Sequence, residues 1–107
     1  MLKITRYLIG SGNDVFGAWL SGLQYDRTKG KIVAWIDRLS LGNFGDCKAL
    51  YKGLFELRID WGPGYQVYYA LAGRACVVLL CGATSANSHL TSYARWNTLK
   101  DYKKRTS

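Results

Sequence analysis

The sequence predicts an α+β domain: an N-terminal strand, a two-helix hairpin, a three-stranded antiparallel meander and a C-terminal helix. Three observations predict it. Leu54–Asp60 and Tyr65–Leu71 both alternate around the turn Trp61-Gly62-Pro63-Gly64, so each reads as a strand. Val15, Phe16, Trp19, Leu20 and Leu23 recur at helical spacing, and so do Ile32, Trp35, Ile36 and Leu39. Ala75–Cys81 is apolar on both faces, as in a central strand covered on two sides.

Each element has a local reason. Leu2–Tyr7 reads as the first strand, with Leu2 and Ile4 on alternate positions. Ser11-Gly12-Asn13-Asp14 is a turn that supplies a helix N-cap. The second helix is expected over Tyr25–Ser40, with Gly42 as its C′ residue. Trp19 and Trp35 sit in the apolar stripes and are assigned to the core. Cys47–Lys52 carries Lys48 and Lys52 into the hairpin without strand structure of its own. Gly73-Arg74 suits a two-residue type II′ turn, and Gly82–Ser88 a polar loop. His89–Lys104 is expected to be the last helix, with Leu90, Tyr93, Ala94 and Trp96 inward.

The 107 residues make one small domain, residues 1–107, and carry a net charge of +8. Such an excess of cations points to an anionic partner, and half of it lies from Ala75 onward, where Arg95, Lys100, Lys103, Lys104 and Arg105 face Asp101 alone. No apolar run is long enough to span a bilayer, and Met1-Leu-Lys-Ile-Thr-Arg lacks a signal-peptide core, so a cytoplasmic protein is expected. Cys47, Cys76 and Cys81 have no metal spacing; Cys76 and Cys81 fall on one expected strand, roughly 16 Å apart, beyond disulfide reach.

Residues directly opposite in a hairpin share a face. Pairing Asp60 with Gln66 gathers Glu56, Arg58, Asp60, Gln66 and Tyr68 on one polar surface. That surface is the candidate site.

These residues resemble a known family. Leu41-Gly42-Asn43-Phe44-Gly45-Asp46-Cys47-Lys48, then Glu56-Leu57-Arg58-Ile59-Asp60-Trp61-Gly62-Pro63-Gly64-Tyr65-Gln66-Val67-Tyr68-Tyr69, then Leu79-Leu80-Cys81-Gly82, are similar to the HigB-like addiction module killer branch of the RelE/ParE toxin superfamily. The resemblance covers nearly the whole chain, including the helices with Trp19 and Leu20. It implies a RelE-like fold and the toxin of a type II toxin–antitoxin system. Such toxins cleave mRNA, usually in the ribosomal A site, and are neutralised by a cognate antitoxin. A helix-turn-helix antitoxin, mRNA and the ribosome are the partners expected, with no membrane. Two positions depart from the pattern. Gln66 stands where the family has Arg, and Ser85 where it has Lys, so two cations around the scissile phosphate are replaced by neutral groups. ParE-type relatives share the fold and inhibit gyrase instead, which keeps a non-cleaving toxin open.

RNA cleavage of this kind uses no metal or cofactor. A 2′-hydroxyl attacks phosphorus, and the site must supply a base, an acid and positive charge for the phosphorane. Arg58 can grip phosphate through its fork, or be only an ion-paired sheet residue. Glu56 is a candidate base, or only Arg58's partner. His89, the sole histidine, is a candidate acid or base, or a surface residue without a role. Lys48 and Lys52 add charge at the rim, and Gln66 and Ser85 occupy the departed positions. Tyr65, Tyr68 and Tyr93 are candidate stacking rings, and Arg95 a further RNA contact.

Overall fold

The computed structural model describes residues 2–51, 53–73, 75–85 and 97–105. In chain order the elements are β1 (Lys3–Arg6), α1 (Val15–Ser21), α2 (Asp26–Ser40), β2 (Cys47–Tyr51), β3 (Leu54–Ile59), β4 (Tyr65–Ala72) and β5 (Cys76–Thr84). A last helix, α3, spans residues 97–105. The strands form one sheet in the order β1-β5-β4-β3-β2. β1 pairs with β5 in parallel, and every other neighbour is antiparallel. No helix among the described residues is long and apolar enough to cross a membrane.

The helix ends follow the expected chemistry. Asp14 caps α1: its carboxylate accepts from the Gly17 amide at 2.9 Å and from Arg6 at 3.1 Å. Losing such a cap costs about 1 kcal/mol. At the end of α2, Gly42 N donates to Leu39 O at 2.9 Å and Asn43 N to Arg38 O at 2.9 Å, a complete Schellman closure.

α1 and α2 cover one face of the sheet. Phe16, Ile32, Ile36 and Leu39 pack there against Leu57, Ile59, Val67, Tyr69, Val77 and Leu79, with Trp19 and Trp35 at the margin. The opposite face holds a second cluster around Leu54, Tyr68, Ala70, Leu80, Cys81 and Ala83, on which Leu99 and Tyr102 of α3 pack. The helical pair therefore covers one face as expected, while α3 covers part of the other.

Four expectations are corrected. The meander has four antiparallel strands, because Cys47–Tyr51 pairs with β3 as an edge strand. It lies at the sheet edge with Lys48, Ala49 and Leu50 all exposed, so no buried face imposes alternation on its sequence. The β3–β4 register is Arg58↔Gln66 and Ile59↔Tyr65, two residues from the Asp60↔Gln66 pairing; Asp60 belongs to the loop. The shared face of Glu56, Arg58, Gln66 and Tyr68 survives, since the shift is even. β4 and β5 close at Ala72↔Cys76, so Ala75, expected to open the strand, lies before β5 and Ala72 belongs to β4. Finally, β5 runs on through Gly82, Ala83 and Thr84, which were expected to be loop. The expected helix start at His89 lies outside the described residues.

β5 runs on because of a bulge. Tyr68 pairs with Cys81 but Tyr69 with Leu79, so Leu80 is extra. The bulge reverses the facing of β5: Val77 and Leu79 point to the helices, then Cys81 and Ala83 point to the second cluster. Gly82 returns to the helical face, under the Trp19 ring, where a Cβ would lie within the indole.

α3 is also fastened to the end of β1, at Tyr7 and Leu8. The Tyr7 hydroxyl donates to Asp101 at 2.5 Å, and the Tyr102 ring meets Tyr7 edge-on at 5.3 Å. Arg105 donates to Leu8 O at 2.9 Å. Burial, reinforced by the Asp101 hydrogen bond, pushes the Tyr7 hydroxyl above its ordinary range. Burial also raises Tyr69 and Cys47, which share a hydrogen bond at 3.1 Å. Groups whose pKa is raised on folding stabilise the fold fully below their unfolded values, and that contribution disappears as pH climbs through the folded ones. The melting temperature is therefore expected to begin falling above about pH 8.5, where the unfolded Cys47 thiol ionises, and to fall more steeply above about pH 10, where the unfolded tyrosines do. Thermal unfolding followed by circular dichroism from pH 7 to strong alkali checks this. Tyr7→Phe should show a shallower alkaline fall.

Candidate functional site

Two rows of side chains cross the second sheet face, exposed at Lys48 and Arg58 and buried at Tyr68, Cys81 and Ala83. The first is Lys48, Glu56, Tyr68 and Cys81, each paired with the next across β2, β3, β4 and β5. The second is Arg58, Gln66 and Ala83, beginning beside Asp46, whose carbonyl accepts from Arg58 N at 2.9 Å. The alternation of β3 thus sends Leu57 and Ile59 inward and Glu56 and Arg58 to this surface.

Glu56 is the strut of the site. Its Oε1 accepts from Arg58 Nε at 2.9 Å and its Oε2 accepts from the Tyr68 hydroxyl at 3.0 Å. The Tyr68 ring is buried, which fixes the carboxylate from below. The Glu56 side chain is 14% exposed and that of Arg58 48% exposed, so the carboxylate is held down while the guanidinium reaches solvent. The hydrogen bond and charge of Glu56 raise the Arg58 pKa further, with Asp46 adding to them, so the cation persists at any working pH. Among the described residues, Nε is the Arg58 atom that makes a side-chain bond; a guanidinium has four more N–H donors for an anion.

Gln66 and Ser85 are a pair. Gln66 Nε2 donates to Ser85 Oγ, and Ser85 N donates to Gly64 O at 2.9 Å. Gly64 has φ +90°, and a Cβ there would come within 2.9 Å of Ser85 Oγ. The Gly62-Pro63-Gly64 turn is thereby tied to the end of β5 beside Arg58. Lys31 Nζ, 4.8 Å over the Trp61 ring, ties the same turn to α2.

The structure brings together Lys48, Glu56, Arg58, Gln66, Tyr68 and Ser85. It removes two of the expected stacking rings. Tyr65 is buried on the helical face, edge-on to Trp19 at 6.3 Å, and Tyr68 offers its hydroxyl rather than its ring. A tyrosine on an alternating strand packs as well as it stacks, which is why the sequence did not separate the two roles. Lys52, His89, Tyr93 and Arg95 lie outside the described residues. Sequence reasoning missed Asp46 as a neighbour of Arg58; its place in the segment just before Lys48 was the available signal.

Taken together, the fold and surface define an α+β protein with an anchored guanidinium on a partly open sheet face. The chain belongs to the same family as an uncharacterized protein of Haemophilus influenzae, to which it is 54% identical over 67 residues, 63% of this chain and 68% of that protein. No protein-family model matches the chain.

Proposed function

We propose that the protein is the toxin of a type II toxin–antitoxin system: a metal-independent endoribonuclease of the RelE/ParE superfamily, HigB-like branch, that cuts mRNA on the ribosome and stops translation. The observation that carries this is Arg58, a half-exposed guanidinium anchored by Glu56 on the sheet face that also bears Lys48. The resemblance of the Gly42–Asp46 and Glu56–Tyr65 segments supports it, as does the +8 charge.

Arg58 would hold the phosphate and offset the charge that builds on the phosphorane. Lys48 would add charge at the rim. Both Glu56 oxygens are engaged, so Glu56 serves as Arg58's support, and proton transfer falls to other groups, His89 among the candidates. Gln66 and Ser85 would supply neutral hydrogen bonds where the family places cations. The partners on this account are mRNA, the ribosome and a cognate helix-turn-helix antitoxin, and the compartment is the cytoplasm.

Induced expression in bacteria, with mapping of mRNA ends, is the test. Growth arrest with new internal ends is expected; full growth and intact transcripts in the presence of soluble protein would contradict it. The Gln66–Ser85 pair favours a second reading, a non-cleaving ParE-like toxin that acts by binding gyrase or another target. Gln66→Arg combined with Ser85→Lys separates the two. A large gain in cleavage marks a nuclease weakened by the two replacements, and an unchanged rate points to a different target.

A further inference from the structure

The outer side of α2 carries a second feature, and it makes no use of RNA cleavage. Arg27, Lys31 and Arg38 are exposed there. At about 100° per residue the three fall within about 40° of one another, and at about 1.5 Å of rise they span about 16 Å of helix. They form one straight cationic row, turned away from Ile32, Ile36 and Leu39, which face the sheet. The acids of the helix stay off it. Asp26 and Asp37 lie about 100–120° around the helix from the row, and Asp26 pairs with Lys29 at 3.9 Å. Among the described residues, none of the three row cations enters an ion pair.

Two of the three are seated in advance. Lys31 Nζ lies 4.8 Å over the Trp61 ring, and the Arg38 guanidinium lies 4.8 Å over the Trp35 ring. A cation already resting on a ring has less freedom to lose when an anion arrives. Both rings border the Arg58 end of the sheet. Trp61 opens the turn after β3. The Gly45 backbone sits against Trp35, where a Cβ would lie 3.0 Å from the ring, and the next residue, Asp46, accepts from Arg58 N.

We propose that this row binds the phosphate backbone of double-stranded RNA. Along 16 Å of axis a duplex presents on the order of ten backbone charges, so three cations in line meet phosphates whatever the sequence. Single strands are held by stacking bases on open rings, and here Lys31 and Arg38 already cover Trp61 and Trp35. An amphipathic acidic peptide needs apolar anchors. Between its cations the row offers only Gly30 and Ala34, and Val33, 44% exposed, is turned about 140° away. The choice of RNA over DNA rests on the RNA reading of the Arg58 surface; the row itself does not.

The test is fluorescence anisotropy of a labelled, blunt RNA duplex with the full chain across a salt series. Each of Arg27→Gln, Lys31→Gln and Arg38→Gln should lower the slope of log affinity against log salt by about one. The triple variant should bind at least about tenfold more weakly at low salt. Lys29→Gln, on the opposite side of the same helix, should leave slope and affinity unchanged. Glutamine keeps the helix propensity of the residues it replaces, and melting curves check that the variants fold. Slopes unchanged by the three row variants would overturn the proposal. So would equal competition by single-stranded RNA or polyglutamate, or tighter binding of a DNA duplex of the same sequence. Duplex binding through the row without any cleavage would count against the nuclease and for the row; cleavage with unchanged slopes would do the reverse.

Discussion

On the proposed nuclease function, Arg58→Ala is expected to lower RNA cleavage by about a hundred- to a thousandfold, the usual consequence of removing one transition-state donor. The fold should be untouched. Arg58 is exposed, its β3 neighbours Leu57 and Ile59 face the core, and its backbone bond to Asp46 does not involve the side chain. Arg58→Lys should restore only part of the rate, because a point charge lacks the planar fork. Glu56→Gln should cost less than Arg58→Ala but more than a surface change, since Nε loses a charged acceptor and the guanidinium its anchor. Initial rates on a defined RNA, with melting curves recorded beside them, check all three. Equal rates for Arg58→Ala and the parent would remove the residue from the chemistry.

Gly82→Ala is expected to destabilise the fold by about 1–3 kcal/mol, as overpacking does in a filled core. For a domain of this size that is a fall in melting temperature of about 5–15 °C. The added methyl would lie inside the Trp19 ring, which rests on the Gly82 backbone at the point where the Leu80 bulge has turned β5. A rigid indole against backbone yields little. In a Trp19→Leu background the same change should cost much less, and this double-mutant cycle isolates the contact. Calorimetry or chemical denaturation of the four proteins decides the matter.

Those two residues also mark what the sequence shows plainly and what it hides. Arg58 was legible because alternation sorts β3 into two faces whatever its partner is. Parity survives an even slip, so Arg58 and Gln66 were put on one surface though the offset was two residues out. The offset depends on how much of Asp60–Gly64 the turn consumes, and Gly-Pro-Gly fits several answers. Gly82 was hidden. A bulge erases alternation, so Leu79-Leu80-Cys81 reads as apolar on both sides and Gly82 as a loop start. β2 was hidden by being an edge. Tyr65 and Tyr68 were put on the right faces, but their expected stacking role fails because both rings are buried, and alternation says nothing of how far a ring is covered. Gln66 and Ser85 read in the sequence as two separate departures from the pattern the chain resembles; the fold makes them one hydrogen-bonded pair beside Arg58.

The most direct test is to follow the Arg58 Nε–Hε resonance by NMR while a short single-stranded RNA with a non-cleavable 2′-deoxy position is added. A shift of that signal in step with RNA saturation, together with the amides of Lys48 and Gln66, is the expected result. An Arg58 signal that stays fixed while RNA saturates other parts of the protein, or a protein that takes up no RNA at all, would contradict the assignment of this surface.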